Sequence, residues 1–441
     1  MRKKFKEFTV DNQRVIRVIR TPNSVRYLLV RTINNEEIIE KDLASMDEVR
    51  SSLSIEVQVE ENKSESHVVI EEQPKQTEEV KIPKKRGRKK MELPMMEDLE
   101  IQGQEKIEDT KEFAVKFGFL GVGQGGGKLC QSFYGLGYRR ILAVNTTVQD
   151  FEGLEFKSKL LIGDSISGAG KDPTVGFKAA DSSREKILRA CKDAFGDEVE
   201  HIIVCTSTGG GSGSGSTPVA IEVAQEYLKS IGKEAKVGVI ACLPKSSEGQ
   251  KCVDNSNQLL QKVKPLVEQK IISPFIICDN EKILKMYPKV SIAKFYEAAN
   301  RSISAMFSLF NELCAKNSAY QTLDVADYRS VLNSGVMIFG ANTIQDASKS
   351  ETLIAESVEK NMKNGLLASL ELKGATHAGA ILIASKAMLE SIPQSALDLS
   401  FQAINRVLGG SVVLHSGVYE GPESLETKAL VYTMIGGLKA G

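Results

Sequence analysis

Two glycine-rich runs carry the plainest chemistry in this sequence. Gly121-Val-Gly-Gln-Gly-Gly-Gly127 follows the apolar stretch Ala114–Leu120 and leads into a helical pattern from Lys128. Thr206-Ser-Thr-Gly-Gly-Gly-Ser-Gly-Ser-Gly-Ser-Thr217 follows His201–Cys205 and leads into a second from Pro218, a residue suited to a helix's first turn. Glycines between a strand and a helix let backbone N–H groups close on a phosphate, and the helix N-terminus adds a favourable dipole. The first run alone also fits a dinucleotide site. It is not a Walker A loop: the GxxxxGK spacing fails at Val122, and Leu129 stands where a metal-binding hydroxyl is needed. A dinucleotide site further requires an acid at the end of the second strand. That strand ends Val144-Asn145-Thr146-Thr147, which disfavours NAD. The second run is too regularly placed, between a buried strand and an amphipathic helix, to be a Gly/Ser linker. Two such loops on adjacent strand ends predict a di- or triphosphate held between two helix N-termini.

The elements that must position these loops alternate along the chain. Ala114–Leu120, Ile141–Val144, Lys159–Ile162, His201–Cys205, Val237–Leu243 and Phe275–Cys278 read as strands, with helical spacing at Val175–Cys191 and Pro218–Ser230. Strands and helices in that order predict a mostly parallel, helix-covered sheet. Ala293–Lys316 reads as one long apolar helix. After it come strands at Val336–Gly340, Ala380–Ala384, Val412–Val418 and Lys428–Ile435, with helical segments at 349–371 and 395–408. The expected fold class is therefore α/β: a Rossmann-like domain with a parallel sheet over 112–292, a central helix over 293–321 and a second α/β domain over 322–441. A small β-rich unit over 1–58 precedes them, with strands at Arg14–Arg20, Val25–Arg31 and Glu37–Glu40 and a short helix at Asp47–Leu53. Residues 59–111 are rich in Glu, Lys, Gln and Pro and read as a disordered linker.

Composition excludes several classes. Lys+Arg and Asp+Glu both number 57 in 441 residues, so net charge points to no partner. Seven cysteines stand singly, with no CxxC and no grouping with the four histidines, which disfavours a disulfide scaffold or a zinc site. The N-terminus lacks the apolar core of a signal peptide and no apolar run approaches membrane-spanning length. The expectation is a soluble, cytoplasmic protein with no membrane partner.

The motifs resemble, in order, those of the tubulin/FtsZ family over roughly residues 113–436. Gly209–Gly215 resembles the signature GGGTGTG, with Ser in place of both Thr, and Gly121–Gly127 resembles the first phosphate loop. Asn145-Thr146 resembles the next loop, with Thr147 in place of an Asp. Gly168-Ala-Gly-Lys-Asp-Pro-Thr-Val-Gly176 resembles the loop that senses the γ-phosphate, and Glu248-Gly249 the ribose-binding segment. The resemblance implies a GTP/GDP site with Mg²⁺. It would comprise Gly121, Gly123, Gln124, Gly125, Gly126, Gly127 and Lys128, then Asn145 and Thr146, and Gly168, Ala169 and Gly170. The run Gly209, Gly210, Gly211, Ser212, Gly213, Ser214 and Gly215 follows, with Glu248 and Asn280. Tyr296 and Asn300, four apart and so on one helix face, would stack on and bond the guanine.

Thr322-Leu-Asp-Val-Ala-Asp-Tyr-Arg329 resembles the family's acidic catalytic segment. By that resemblance Asp324 and Asp327 orient and polarise a water for attack on a γ-phosphate; read from the residues alone, two acids at a helix start are N-terminal capping charges. In the family this segment acts on the nucleotide of the next subunit. The implied partner is the protein itself, in a head-to-tail homopolymer whose GTPase activity follows assembly.

Departures qualify the likeness. Lys128 stands at a guanine-side Asn and gives the loop a form closer to plasmid or phage TubZ-like proteins. Thr322 replaces the acidic segment's Asn, and Cys252 an Arg near the phosphates, for which Lys251 is a substitute. The chain stops at Gly441 directly after the last strand, so a peptide for a membrane adaptor, and with it a septal role, is not expected. Lys84-Lys-Arg-Gly-Arg-Lys-Lys90 resembles an AT-hook core, with Lys in place of the usual Pro after the second Arg, and equally reads as a solvated charge run. It implies contact with DNA or a DNA-bound adaptor, and a role in positioning DNA or phage particles. The rivals are a nucleotide-dependent structural filament and a DNA-tethering adaptor, both with little hydrolysis.

Overall fold

The computed structural model describes four strands within residues 6–43, and residues 107–439 except 164–167, 364–369, 411 and 426. The chain divides into two units, Met1–Leu93 and Pro94–Gly441. In the first, β1 (Lys6–Thr9), β2 (Arg14–Thr21), β3 (Ser24–Ile33) and β4 (Glu36–Leu43) form an antiparallel sheet in sequence order. The expected helix at Asp47–Leu53, the run Lys84–Lys90 and residues 59–106 of the expected linker lie outside the described residues.

In the second unit β5 (Phe117–Val122) leads into α1 (Gly123–Gly135), followed by β6 (Ile141–Asn145) and β7 (Lys159–Leu161). Next come α2 (Pro173–Asp181), α3 (Arg184–Phe195), β8 (His201–Ser207), α4 (Gly211–Ser230), β9 (Val237–Leu243), α5 (Gln250–Glu268), β10 (Ile272–Asp279) and α6 (Asn280–Met286). The long helix α7 (Phe295–Leu313) precedes α8 (Val325–Leu332), β11 (Val336–Gln345) and α9 (Leu353–Lys363). Last are β12 (His377–Ala384), α10 (Lys386–Ser391), α11 (Gln394–Leu408), β13 (Val413–Glu420) and β14 (Lys428–Leu438).

The ten strands from β5 to β14 make one sheet, in the order β13-β12-β14-β11-β10-β9-β8-β5-β6-β7. From β7 to β11 all neighbours are parallel. β14 then runs antiparallel to both β11 and β12. The halves read as separate α/β domains are joined by the parallel pair Phe275–Val336. Helix α7 fastens the same junction, because its 3.6-residue period turns one apolar face onto both halves. Phe307 meets Phe117 edge-on at 4.9 Å and Phe339 at 6.3 Å. Buried Asn311 holds the segment leading into β5 by bonding the Val115 N–H and carbonyl at 2.8 and 3.0 Å.

Three helix boundaries differ from the sequence expectation. The glycine runs are not loops ahead of helices at Lys128 and Pro218; they are the helices' own first turns, beginning at Gly123 and Gly211. Glycine is poor in helices on propensity alone, but here its missing side chain is what lets the turns pack. A Cβ on Gly126 would lie 2.1 Å from the Cys205 carbonyl, and one on Gly215 2.1 Å from the Pro173 carbonyl. Pro218 therefore sits inside α4, where its ring replaces the N–H that would reach the Ser214 carbonyl. The single helical span at Val175–Cys191 is two helices, broken at Ser182-Ser183, residue types that favour caps and turns over helix interiors.

Candidate functional site

The parallel strands β5, β6, β8, β9 and β10 all point their C-terminal ends at one cleft of about 580 Å³. That is where an open α/β sheet places its ligands. Helices α1 and α4 start there, and neither has a side-chain cap or an acid in its first turn. Their leading N–H groups are thus left for a ligand, and two helix dipoles add positive potential. Gly123, at φ +71°, lets β5 turn directly into α1. Its position against Gly213, whose backbone N a Cβ would meet at 2.8 Å, brings the two turns into contact. By contrast Asp172 and Asp279 cap α2 and α6, accepting N–H bonds from Thr174 and from Glu281 and Lys282. The Thr174 backbone N–H is also the main reason the Asp172 carboxyl lies below the usual range.

Of the residues expected at the site, Gln124, Gly125, Lys128, Gly168, Ala169, Gly170, Gly209, Gly210, Gly211, Ser212, Gly213, Glu248, Asn280, Tyr296 and Asn300 line this cleft. Gly121, Gly123, Gly126, Gly127, Asn145, Thr146, Ser214 and Gly215 do not; they stand behind the lining and shape it. The Thr146 hydroxyl bonds the Ser212 hydroxyl at 2.6 Å, tying the second strand's loop to α4. The Ser214 hydroxyl turns back to the Gly210 carbonyl, one turn earlier in its own helix. Buried Asn255 of α5 donates to the carbonyls of both Lys171 and Gly209, each at 3.0 Å, and so staples two of the loops together.

The lining also holds Thr147, Lys171, Ser207 and Cys252, which stand within or beside the motifs, and Asp150, Cys242, Leu243 and Pro244, which no motif marks. Asp150 accepts from Gln124 Nε2 at 3.0 Å and Asn145 Nδ2 at 2.9 Å, so an acid does serve the second strand's end, five residues beyond it. A 3₁₀ turn at Gln149–Phe151 carries it there, which spacing along a strand does not reveal. At the position expected to substitute for a missing Arg, Cys252 lines the cleft and Lys251 does not. Lys171 does line it, at φ +60°, a conformation that costs a non-glycine residue roughly 1–2 kcal/mol. Lys171→Gly is expected to raise stability by about that amount while weakening a triphosphate ligand more than a diphosphate. Thermal unfolding beside paired GTPγS and GDP titrations measures both; equal losses for the two nucleotides would argue against a phosphate-facing ammonium.

The other end of the cleft is a stitched wall. Glu248 accepts from the Lys245 N–H and the Tyr296 hydroxyl, both at 3.0 Å, and Glu281 accepts from the Ser246 N–H and hydroxyl. Lys245 Nζ lies 5.0 Å from the ring centroids of both Phe295 and Tyr296. Burial holds the Tyr296 phenol above its usual range, which keeps the proton it donates. Tyr296 is 42% exposed, a ring open enough to take a planar base.

Asp324 and Asp327 are absent from the cleft. Asp324 is the N-cap of α8 and accepts the Asp327 N–H at 2.8 Å. Arg329, on the same helix, pairs at 2.8 Å with Glu200, which immediately precedes β8. The acids therefore belong to the N-terminal end of the parallel strands. β8 alone separates the two ends by on the order of 20 Å. Helix α7, with Tyr296 and Asn300 in its first turns and the acidic segment after its last, gives a similar span.

Comparison with known proteins bears on the segment that builds the cleft. The model for the Tubulin/FtsZ family, GTPase domain, matches residues 116–288. This segment is a tubulin/FtsZ GTPase domain. Cell division protein FtsZ 1 of Pyrococcus horikoshii is 29% identical over 259 residues, covering 58% of this chain and 64% of that protein. FtsZ 1 of Archaeoglobus fulgidus is 26% identical over 331 residues, covering 72% and 84%. The chain spans about three fifths of the length of several of the FtsZ proteins it matches. The tubulin/FtsZ fold extends beyond the matched domain. A GTPγS-bound protofilament of CetZ2 from Haloferax volcanii superposes with a TM-score of 0.62 at 21% identity, over 74% of this chain and 93% of that one. A GTPγS-form protofilament of TubZ from Bacillus thuringiensis serovar israelensis gives 0.63 at 17%, over 75% and 89%.

Proposed function

We propose that the protein binds GTP with Mg²⁺ in the cleft and assembles head to tail. In the assembly Asp324 and Asp327 of one copy face the γ-phosphate held by the next. The observation that carries this reading is the placement of two uncapped helix N-termini and two acids at opposite ends of one sheet. One copy cannot bring them together, and a stacked copy can. Such a contact is heterologous, and where it does not close it builds a filament. The matched GTPase domain and the protofilaments of CetZ2 and TubZ support it.

The phosphates would lie against the N–H groups of Gly210–Gly213 and of the α1 turn, with Lys128 and Lys171 supplying charge. Among the described residues no group of three or more His, Cys, Asp or Glu is set to hold a metal. Gln124, Thr147 and Asp150 do offer the hard oxygen donors that Mg²⁺ takes when phosphate and water complete its shell. That ion would supply charge neutralisation on the phosphates. Asp324 and Asp327 would orient a water in line with the γ-phosphorus. Its oxygen forms the new P–O bond as the β–γ bridging bond breaks, and its proton leaves through a carboxylate.

The cargo proposed is DNA, on the strength of Lys84–Lys90 and the likeness to a TubZ of plasmid segregation. No described helix is long and apolar enough to cross a membrane. GTP-dependent pelleting, with ATP as control and electron microscopy of the pellet, tests assembly. Pelleting with GTP alone is expected; pelleting with neither nucleotide, or equally with both, would count against the site. Deleting residues 1–110 is expected to remove DNA from the pellet, and unchanged DNA would refute the cargo.

A further inference from the structure

The segment that carries both acids is docked on β13. This is one of the two edge strands of the sheet, and the segment before α8 covers its free edge. Gln321 forms a bridge with Val418 and donates through its side chain to Ser416 at 2.8 Å. The Ser318 hydroxyl donates to the Val418 carbonyl, and the Leu323 N–H donates to the Tyr419 hydroxyl at 3.0 Å. One further tie reaches past the backbone to a carboxylate. His415 Nδ1 lies 2.8 Å from Asp327 Oδ1, with the imidazole 12% and the carboxylate 33% exposed.

We propose that His415 is a positioning residue for Asp327, holding its carboxylate turned out to meet a neighbouring copy's γ-phosphate; this rests on the shared-site reading above. A carboxylate only accepts, so Nδ1 carries the proton of this bond. Nε2 is buried without a hydrogen-bond partner among the described residues. Asp327 is therefore the ring's one hydrogen-bonding anchor among the described residues. The docking of the segment does not depend on this bond, since Ser318, Gln321 and Leu323 already secure it. What the bond adds is direction. It occupies Oδ1 and leaves Oδ2 for a water, whereas Asp324 spends an oxygen on the helix cap. Within the neighbouring strand β12, the residue in register with His415 is Gly379, so the imidazole has no side chain opposite it.

The test is GTP turnover by the full chain above its assembly threshold, for H415N, H415L and D327A beside the unaltered protein. H415L is expected to pellet normally and keep KM within about 2-fold while kcat falls by roughly 100-fold, the cost of a misplaced group near the chemistry. H415N puts an amide N–H where Nδ1–H stands and is expected to recover most of kcat. Unchanged kcat in H415L overturns the proposal. So does an H415N that pellets yet is as slow as D327A, because a donor at that position would then not matter. If H415L fails to fold, H415Q takes its place, since its amide lies beyond the Nδ1 position and is expected not to recover kcat; recovery in H415Q overturns the proposal too. Turnover that needs neither assembly nor Asp327 would instead refute the shared site itself.

Discussion

Asp327→Ala is expected to lower phosphate release in the assembled protein by on the order of 10²–10⁴-fold, the usual contribution of a positioned general base. Nucleotide affinity and pelleting should survive, because Asp327 stands at the end of the strands remote from the cleft. If hydrolysis weakens the contact between copies, polymer of this variant is expected to outlast that of the unaltered protein. Asp324→Ala is a less clean experiment. That side chain caps α8, and losing the cap alone costs about 1 kcal/mol of stability. Phosphate release measured beside thermal unfolding separates the two effects. Full turnover in Asp327→Ala, with normal pelleting, would show that Asp327 takes no part in hydrolysis.

The second large effect is expected from Gly213→Ala. A methyl group there would lie 2.4 Å from the Ser207 carbonyl and 3.2 Å from the Thr206 hydroxyl. The contact at Ser207 is with backbone at the end of β8, so no side chain can swing away to relieve it. Nor can the α4 turn retreat freely, because Gly211 and Gly215 press on Asp172 and Pro173 on its far side. The turn whose N–H groups face the cleft must shift. Losing two or three charge-assisted bonds to phosphate is expected to weaken GTP by about 100-fold or more. Titration with a fluorescent GTP analogue measures this. Thermal unfolding is expected to change less, because most of the core lies below the turn. Unaltered affinity would mean that the α4 terminus does not hold the nucleotide.

Much of this was legible in the sequence because it depends on local rules. Alternating apolar stretches marked nearly every strand, and glycine runs after His201–Cys205 and Ala114–Leu120 marked the two turns that face the cleft. The starts of α1 and α4 were not legible. Helix propensity argues against Gly123–Gly127 and Gly211–Gly215 as helical, and the packing that overrides it, glycine against the backbone of Cys205, Ser207 and Pro173, is non-local. Asp150 was missed for a related reason: a 3₁₀ turn returns it to the strand end. His415 carries no motif. It meets Asp327 across 88 positions of sequence only because β13 is an edge strand on which the acidic segment folds. The capping and catalytic readings of the acids are also not exclusive. Asp324 caps, and Asp327 is free of that duty.

The central claim, that one copy holds the nucleotide and the next supplies the acids, is tested most directly by GTP turnover per molecule as a function of protein concentration. A shared site predicts turnover near background in dilute protein, rising steeply as copies meet and levelling once most are assembled. A rate per molecule that stays constant down to concentrations at which no polymer pellets would contradict it, because the acids would then be acting on the nucleotide of their own chain.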